Sequence, residues 1–161
     1  MGSMFGIFIF RCLWYISVMK NFEELTKNMI NDPKILRMKQ YTQHGRVNTY
    51  EHSLDVAKTC LRLSRGLHLK VREEELVRGA MLHDYFLYDW HHHDGKWHGL
   101  THPEEAVRNA KRDFDLTETE ADIIKCHMWP LTLRSVPRSR EAVLVCISDK
   151  ICSLKETLLK R

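Results

Sequence analysis

Apolar positions along this chain recur at intervals of three and four residues and almost never in strict alternation, a pattern that predicts helices and little strand. Asn21 to Ile30 places Phe22, Leu25 and Met29 on one face and stops at Asn31-Asp32-Pro33, since proline disfavours helix in the residue before it. A short helix follows over about Lys34 to Gln40. Asn48, with Glu51 three residues on, opens a helix carrying His52, Leu54, Ala57, Leu61 and Leu63 that ends near Gly66. Glu73-Glu74-Glu75 complement the dipole at the next helix start. Leu76, Val77, Ala80, Met81 and Leu82 make that helix largely buried before His83 and Asp84 close it. From Tyr85 to Leu100 the periodicity breaks into an aromatic, histidine-rich stretch, expected to be a functional loop. Two capping boxes, Thr101 with Glu104 and Thr117 with Glu120, open helices bearing His102 at the beginning of one and His127 at the end of the other. A long last helix from about Ser139 to Leu159 carries Asp149 among Val143, Val145, Cys146, Ile147 and Ile151. The fold class expected is all-α, a compact single-domain helical bundle.

At 161 residues and 43% apolar content the chain can bury the core of one domain and is too short to suggest two. The formal charge of +4 favours anionic ligands mildly. Its basic residues are dispersed, so no nucleic-acid partner is implied. Five cysteines without CxxC spacing argue against a disulfide framework or a zinc knuckle and fit a reducing, cytoplasmic setting. The most apolar run, Phe5 to Val18, is interrupted by Arg11 and is shorter than the ~20 residues that span a bilayer. It also lacks a basic start and a cleavage site, so no membrane span or signal peptide is expected. Met19-Lys20-Asn21-Phe22 reads as an ordinary protein start. Residues 1–18 are therefore expected to be an upstream extension or a segment carried over from expression, with a covering segment or a dimer contact as rival readings. The domain itself is expected over 19–161.

Chemistry concentrates in six residues: His52, His83, Asp84, His102, His127 and Asp149. The adjacent His83-Asp84 pair projects an imidazole and a carboxylate from neighbouring helical positions, a grip for a divalent cation, and the set can hold one metal or two. Asp149 sits in the apolar run Leu144 to Ile151, where a carboxylate without compensation costs several kcal/mol. Lys150 points about 100° away around the helix, so the partner must come from elsewhere: a shared metal or an arginine. Lys150, Arg134, Arg138 and Arg140 are candidates to bind phosphate, since guanidinium forks match phosphate oxygens and the basic loop follows His127 directly. As basic side chains they could equally be just solvated. Trp90, Trp97 and Trp129 could stack on a base or simply cover the core. His91, His92 and His93 read as a solvated polar loop, and His44 and His68 as surface residues.

The arrangement resembles the HD superfamily of metal-dependent phosphohydrolases, whose signature is a lone His, a His-Asp doublet and a distal Asp on separate helices. Over about Tyr41 to Leu159, His52 in Thr49-Tyr-Glu-His-Ser, the doublet in Ala80-Met-Leu-His-Asp and Asp149 in Ile147-Ser-Asp-Lys150 follow that order. The resemblance implies an all-helical HD-type bundle in which these four residues bind a cation. Members with two metals insert further histidines between doublet and final Asp, where this chain has His102 and His127. On that pattern Asp84 bridges two cations, His52, His83 and Asp149 complete one site, and His102 and His127 complete the other. His98 and the loop histidines are alternatives to His102. Fe or Mn is favoured, and Co, Ni or Zn also suit imidazole and carboxylate ligands.

The resemblance implies hydrolysis of a small phosphate ester or anhydride, with a nucleotide the favoured substrate, through a metal-activated hydroxide, and catalytic roles for Asp84 and Lys150. Compact symmetrical dinucleoside tetraphosphate hydrolases share the six-ligand pattern but differ around the aromatic loop. The cyclic-dinucleotide branch is disfavoured because no Gly-Tyr-Pro element follows the doublet, and guanosine tetraphosphate hydrolases have a larger domain. Di-iron oxygenases of the same fold use the same six residues, and a non-catalytic metal- or nucleotide-binding module is a third reading. A homodimer is compatible with the sequence.

Overall fold

The computed structural model describes residues 2–90 and 98–159. Among them seven helices follow in order: α1 (Gly2–Thr26), α2 (Pro33–Leu36), α3 (Thr49–Gly66), α4 (Glu73–Leu82), α5 (His98–Asp113), α6 (Glu118–Cys126) and α7 (Arg140–Leu159). A 3₁₀ turn over Arg37–Gln40 follows α2, and one small antiparallel hairpin pairs β1 (Thr42–His44) with β2 (Val47–Asn48). The all-α expectation holds. No helix of the described residues is long and apolar enough to cross a membrane.

The capping signals act where the sequence places them. Asp32 accepts from the Lys34 amide at 2.7 Å with Pro33 in the first helical position of α2. Asn48 accepts from the Glu51 amide at 2.9 Å to open α3. Thr117 and Glu120 form both halves of a capping box at the start of α6. Two boundaries differ from expectation. The first helix is not Asn21–Ile30 but Gly2–Thr26, passing Met19 without a break. Up to Val18 its residues are largely apolar on all sides, so no periodicity marks an earlier start. Helix α5 begins at His98 rather than Thr101, so the predicted box there does not cap a helix.

Helix α3 lies at the centre, packed on α4 along one side and α7 along another, while α6 joins α4, α5 and α7. Val56, Ala57, Cys60 and Leu61 of α3 meet Leu76, Val77, Ala80 and Met81 of α4, with Ile123, Ile124 and Val145 closing the core. From α1, Val18 and Phe22 are buried in the same cluster and Trp14 packs against it. Gly79 lets α4 and α6 approach closely, since a Cβ at that position would fall 2.6 Å from Ile123 Cδ1. That contact lies one turn before His83 on α4 and one turn before His127 on α6, so packing in the core sets how close those two imidazoles come.

Candidate metal centre

Helix ends bring the site together. His83 caps the C-terminus of α4 and His127 that of α6, His52 lies in the first turn of α3, His102 in the early part of α5, and Asp149 midway along α7. All six predicted residues converge and are buried, Asp149 the most accessible at 7%.

Asp84 is the hub. Its Oδ2 lies 3.2 Å from His83 Nε2 and 3.8 Å from His52 Nε2, and its Oδ1 lies 3.2 Å from His102 Nε2 and 3.3 Å from His127 Nε2. The two oxygens of one carboxylate therefore face two separate histidine pairs. On the first side Asp149 Oδ1 approaches His52 Nε2 at 3.2 Å and His83 Nε2 at 3.9 Å. Asp149, which needed a partner, has it in His52.

The imidazoles are oriented from behind. His83 Nδ1 meets the Ala80 carbonyl at 2.7 Å and His127 Nδ1 meets the Ile124 carbonyl at 2.8 Å, both free carbonyls of a last helical turn. Donating there as N–H leaves each Nε2 turned into the cluster as a lone-pair donor.

The donor set fits cations. His83 Nε2 and Asp84 Oδ1 are buried with no hydrogen-bond partner although oppositely charged groups lie within about 3.3 Å, because the contacts lack hydrogen-bond direction. His102 Nε2 and His127 Nε2 face each other at 2.8 Å, which two neutral rings tolerate only with a proton or a cation between their lone pairs. Two overlapping triads, His52-His83-Asp84 and Asp84-His102-His127, bring their ligand atoms within 4.8 Å of one another. Imidazole and carboxylate without thiolate suit Fe, Mn, Co, Ni or Zn.

Electrostatics point the same way. Burial works to lower the His52 imidazole, but hydrogen bonds to Asp149 and Glu156 and the Asp84 charge raise it to about 10. Burial likewise opposes the rise of His83, which the adjacent Asp84 charge brings about, and pushes His127 down. Against the desolvation that would raise them, the surrounding imidazoles hold Asp84 and Asp149 well below the ordinary carboxylate range. Ionised carboxylates thus keep protons on nearby imidazoles, protons that a divalent cation would displace.

A match to the HD domain pattern covers residues 49–154, from the start of α3 to the last third of α7, and so includes every residue of the cluster. The chain belongs to the HD domain family. No curated protein and no solved structure matches this HD domain. Family membership carries metal-dependent hydrolase-type chemistry at the level of the superfamily.

The remaining candidates lie around the HD centre at differing distances. Lys150, next to Asp149, donates to the His127 carbonyl at 3.0 Å and to the Cys146 carbonyl at 3.2 Å, tying α7 to the turn that carries His127. Arg134 is exposed in the loop after α6. Arg138 gives its amide to Asp122 at 3.1 Å, and Arg140 reaches the Lys70 carbonyl at 3.4 Å. Arg140 begins α7, nine residues before Asp149 and thus about 14 Å away along the axis. Trp90 donates to the Thr42 carbonyl at 3.1 Å, and Trp129 is exposed. His68 is exposed. His91, His92, His93 and Trp97 lie outside the described residues, as do the side chains of His44 and His98.

Two contributors were not found by reading the sequence. Gln43 in β1 donates from Nε2 to Asp84 Oδ2 at 2.6 Å, and its own carbonyl oxygen faces Thr49 Oγ1 at 3.4 Å. Nothing in the sequence around Gln43 announces this, because the hairpin alone brings it to Asp84. Glu156 meets His52 Nδ1 with both oxygens at 3.0 Å. Here a signal existed: Glu156 follows Asp149 by seven residues on the same helix, which places both on one face.

Proposed function

We propose that this HD domain is a metal-dependent phosphohydrolase acting on a small phosphate ester or anhydride, with a nucleotide the favoured class. Asp84 would be shared by two cation sites, one completed by His52, His83 and Asp149 and the other by His102 and His127. The observation that carries the reading is the division of Asp84, whose Oδ2 faces one histidine pair and whose Oδ1 faces the other. When bound, such a cation pair lowers the pKa of water and offsets charge on phosphoryl oxygens during in-line attack.

The chain's own residues supply the rest. His83 and His127 present Nε2 inward because main-chain carbonyls hold their Nδ1 protons. Gln43 restrains Asp84 so that its two oxygens keep their separate directions. Of the basic candidates, Lys150 borders Asp149 in sequence and donates to the His127 carbonyl, and we assign it the phosphate contact ahead of the arginines. Arg134 sits in the loop beyond His127, whereas Arg138 and Arg140 serve only a substrate long enough to reach the start of α7. Four buried free cysteines, Cys60, Cys126, Cys146 and Cys152, support a reducing compartment such as the cytoplasm.

The test is a phosphate-release screen over nucleotides and sugar phosphates with Fe or Mn supplied, run in parallel under strict anaerobiosis and with O₂ present. Release that persists without O₂ and is lost in Asp84→Ala supports hydrolysis. Turnover that consumes O₂ and releases no phosphate assigns the same residues to a di-iron oxygenase instead.

A further inference from the structure

His52 differs from the other oriented histidines in what holds it. His83 and His127 end their helices, where last-turn carbonyls lack intrahelical partners and are free to accept from Nδ1. His52 lies in the first turn of α3, where every carbonyl is engaged by an amide four residues on. Its Nδ1 is met instead from another element. That element is α7: Glu156 closes on Nδ1 with both carboxylate oxygens at 3.0 Å.

The choice of partner is selective. Glu156 is 6% exposed, and a carboxylate so buried is costly unless it is paired. Lys58 and Lys155 line the groove outside it. Its hydrogen bonds and ion pair among the described residues nevertheless go to His52 alone. A carboxylate that accepts the outer N–H of an imidazole fixes the ring's orientation and strengthens the opposite nitrogen as an electron-pair donor. In His52 that nitrogen, Nε2, faces Asp149 Oδ1 and Asp84 Oδ2.

Resting on the dinuclear reading given above, we propose that Glu156 is a positioning residue for the cation held by His52, His83, Asp84 and Asp149. Its negative charge does for His52 what the Ala80 and Ile124 carbonyls do for His83 and His127. Glu156 acts on one side of the centre only. The side formed by Asp84, His102 and His127 does not depend on it.

The experiment is Mn²⁺ uptake by the intact chain, followed by elemental analysis across a graded chelator series, in wild type, Glu156→Gln and Glu156→Leu. Gln keeps the shape and an acceptor oxygen but removes the charge, and Leu removes both. Expected is a loss of affinity for one Mn²⁺ of about 10-fold in Glu156→Gln and up to about 100-fold in Glu156→Leu, with the second Mn²⁺ unchanged. A second readout needs no metal: proton NMR of the cation-free protein should show a downfield, slowly exchanging His52 Nδ1–H that Glu156→Leu abolishes and Glu156→Gln retains. Wild-type uptake in Glu156→Leu, or equal weakening of both cations, overturns the role of Glu156 alone. A wild-type chain that takes up no Mn²⁺ overturns the dinuclear reading and this proposal together.

Discussion

Replacing Gly79 with Ala isolates the packing that sets the distance between α4 and α6. In an exposed helix this change stabilises by about 1 kcal/mol, since Gly is the poorer helix former. Here the new Cβ would lie 2.6 Å from Ile123 Cδ1, 3.0 Å from its Cγ2 and 3.1 Å from its Cβ. The Cδ1 could swing aside, but Cγ2 and Cβ belong to the stiff root of a β-branched side chain that is fully buried. The helices must then separate, and overpacking of this kind costs about 1–3 kcal/mol. The clash outweighs the propensity gain, so Gly79→Ala is expected to destabilise by up to about 2 kcal/mol net. Urea unfolding, compared at unchanged m, measures it. Ile123→Ala, which removes Cγ2 and Cδ1 together, should alone cost about 2–5 kcal/mol by leaving a cavity. In the Gly79→Ala background it should cost less, a coupling of about 1 kcal/mol in the double-mutant cycle. A Gly79→Ala protein more stable than wild type, or a cycle additive within about 0.5 kcal/mol, would refute the close approach and with it the spacing of His83 and His127.

Two further stability predictions concern residues outside the cluster. Asp113 is held down to about 2 by its hydrogen bond with the Arg112 guanidinium, helped by the Tyr85 hydroxyl at 3.0 Å. Its folded pKa lies below the unfolded value, so its contribution is complete above the ordinary carboxylate range and is lost as pH falls from about 4 to about 2. The stability gap between wild type and Asp113→Asn should therefore shrink over that range in urea unfolding, and a gap independent of pH contradicts the pairing. Thr117→Ala removes the acceptor for the Glu120 amide at the start of α6 and should cost about 1 kcal/mol, an effect that a neutral result in the same assay would rule out.

The order His52, His83-Asp84, His102, His127, Asp149 was legible because metal ligands are distinctive residue types and because each helix carrying one has clear punctuation. Asp149 was legible for a further reason: an ionisable group inside an apolar run demands a partner. The same logic applied to Glu156 on the same face would have found it. It was obscured by the neighbouring Lys155 and Thr157, which make the end of α7 read as a polar terminus. Gln43 was not legible, because a neutral side chain in a seven-residue hairpin has no periodicity to place it and only the fold brings it to Asp84. The extent of α1 was hidden for the opposite reason, since a segment apolar on all sides carries no amphipathic signature of where it begins.

If one carboxylate, Asp84, joins two cation sites, cation stoichiometry must follow it. Elemental analysis of anaerobically purified wild type, His127→Ala and Asp84→Ala is expected to give two, one and no tightly held divalent cations per chain. Two cations retained in His127→Ala, or any retained in Asp84→Ala, would contradict it.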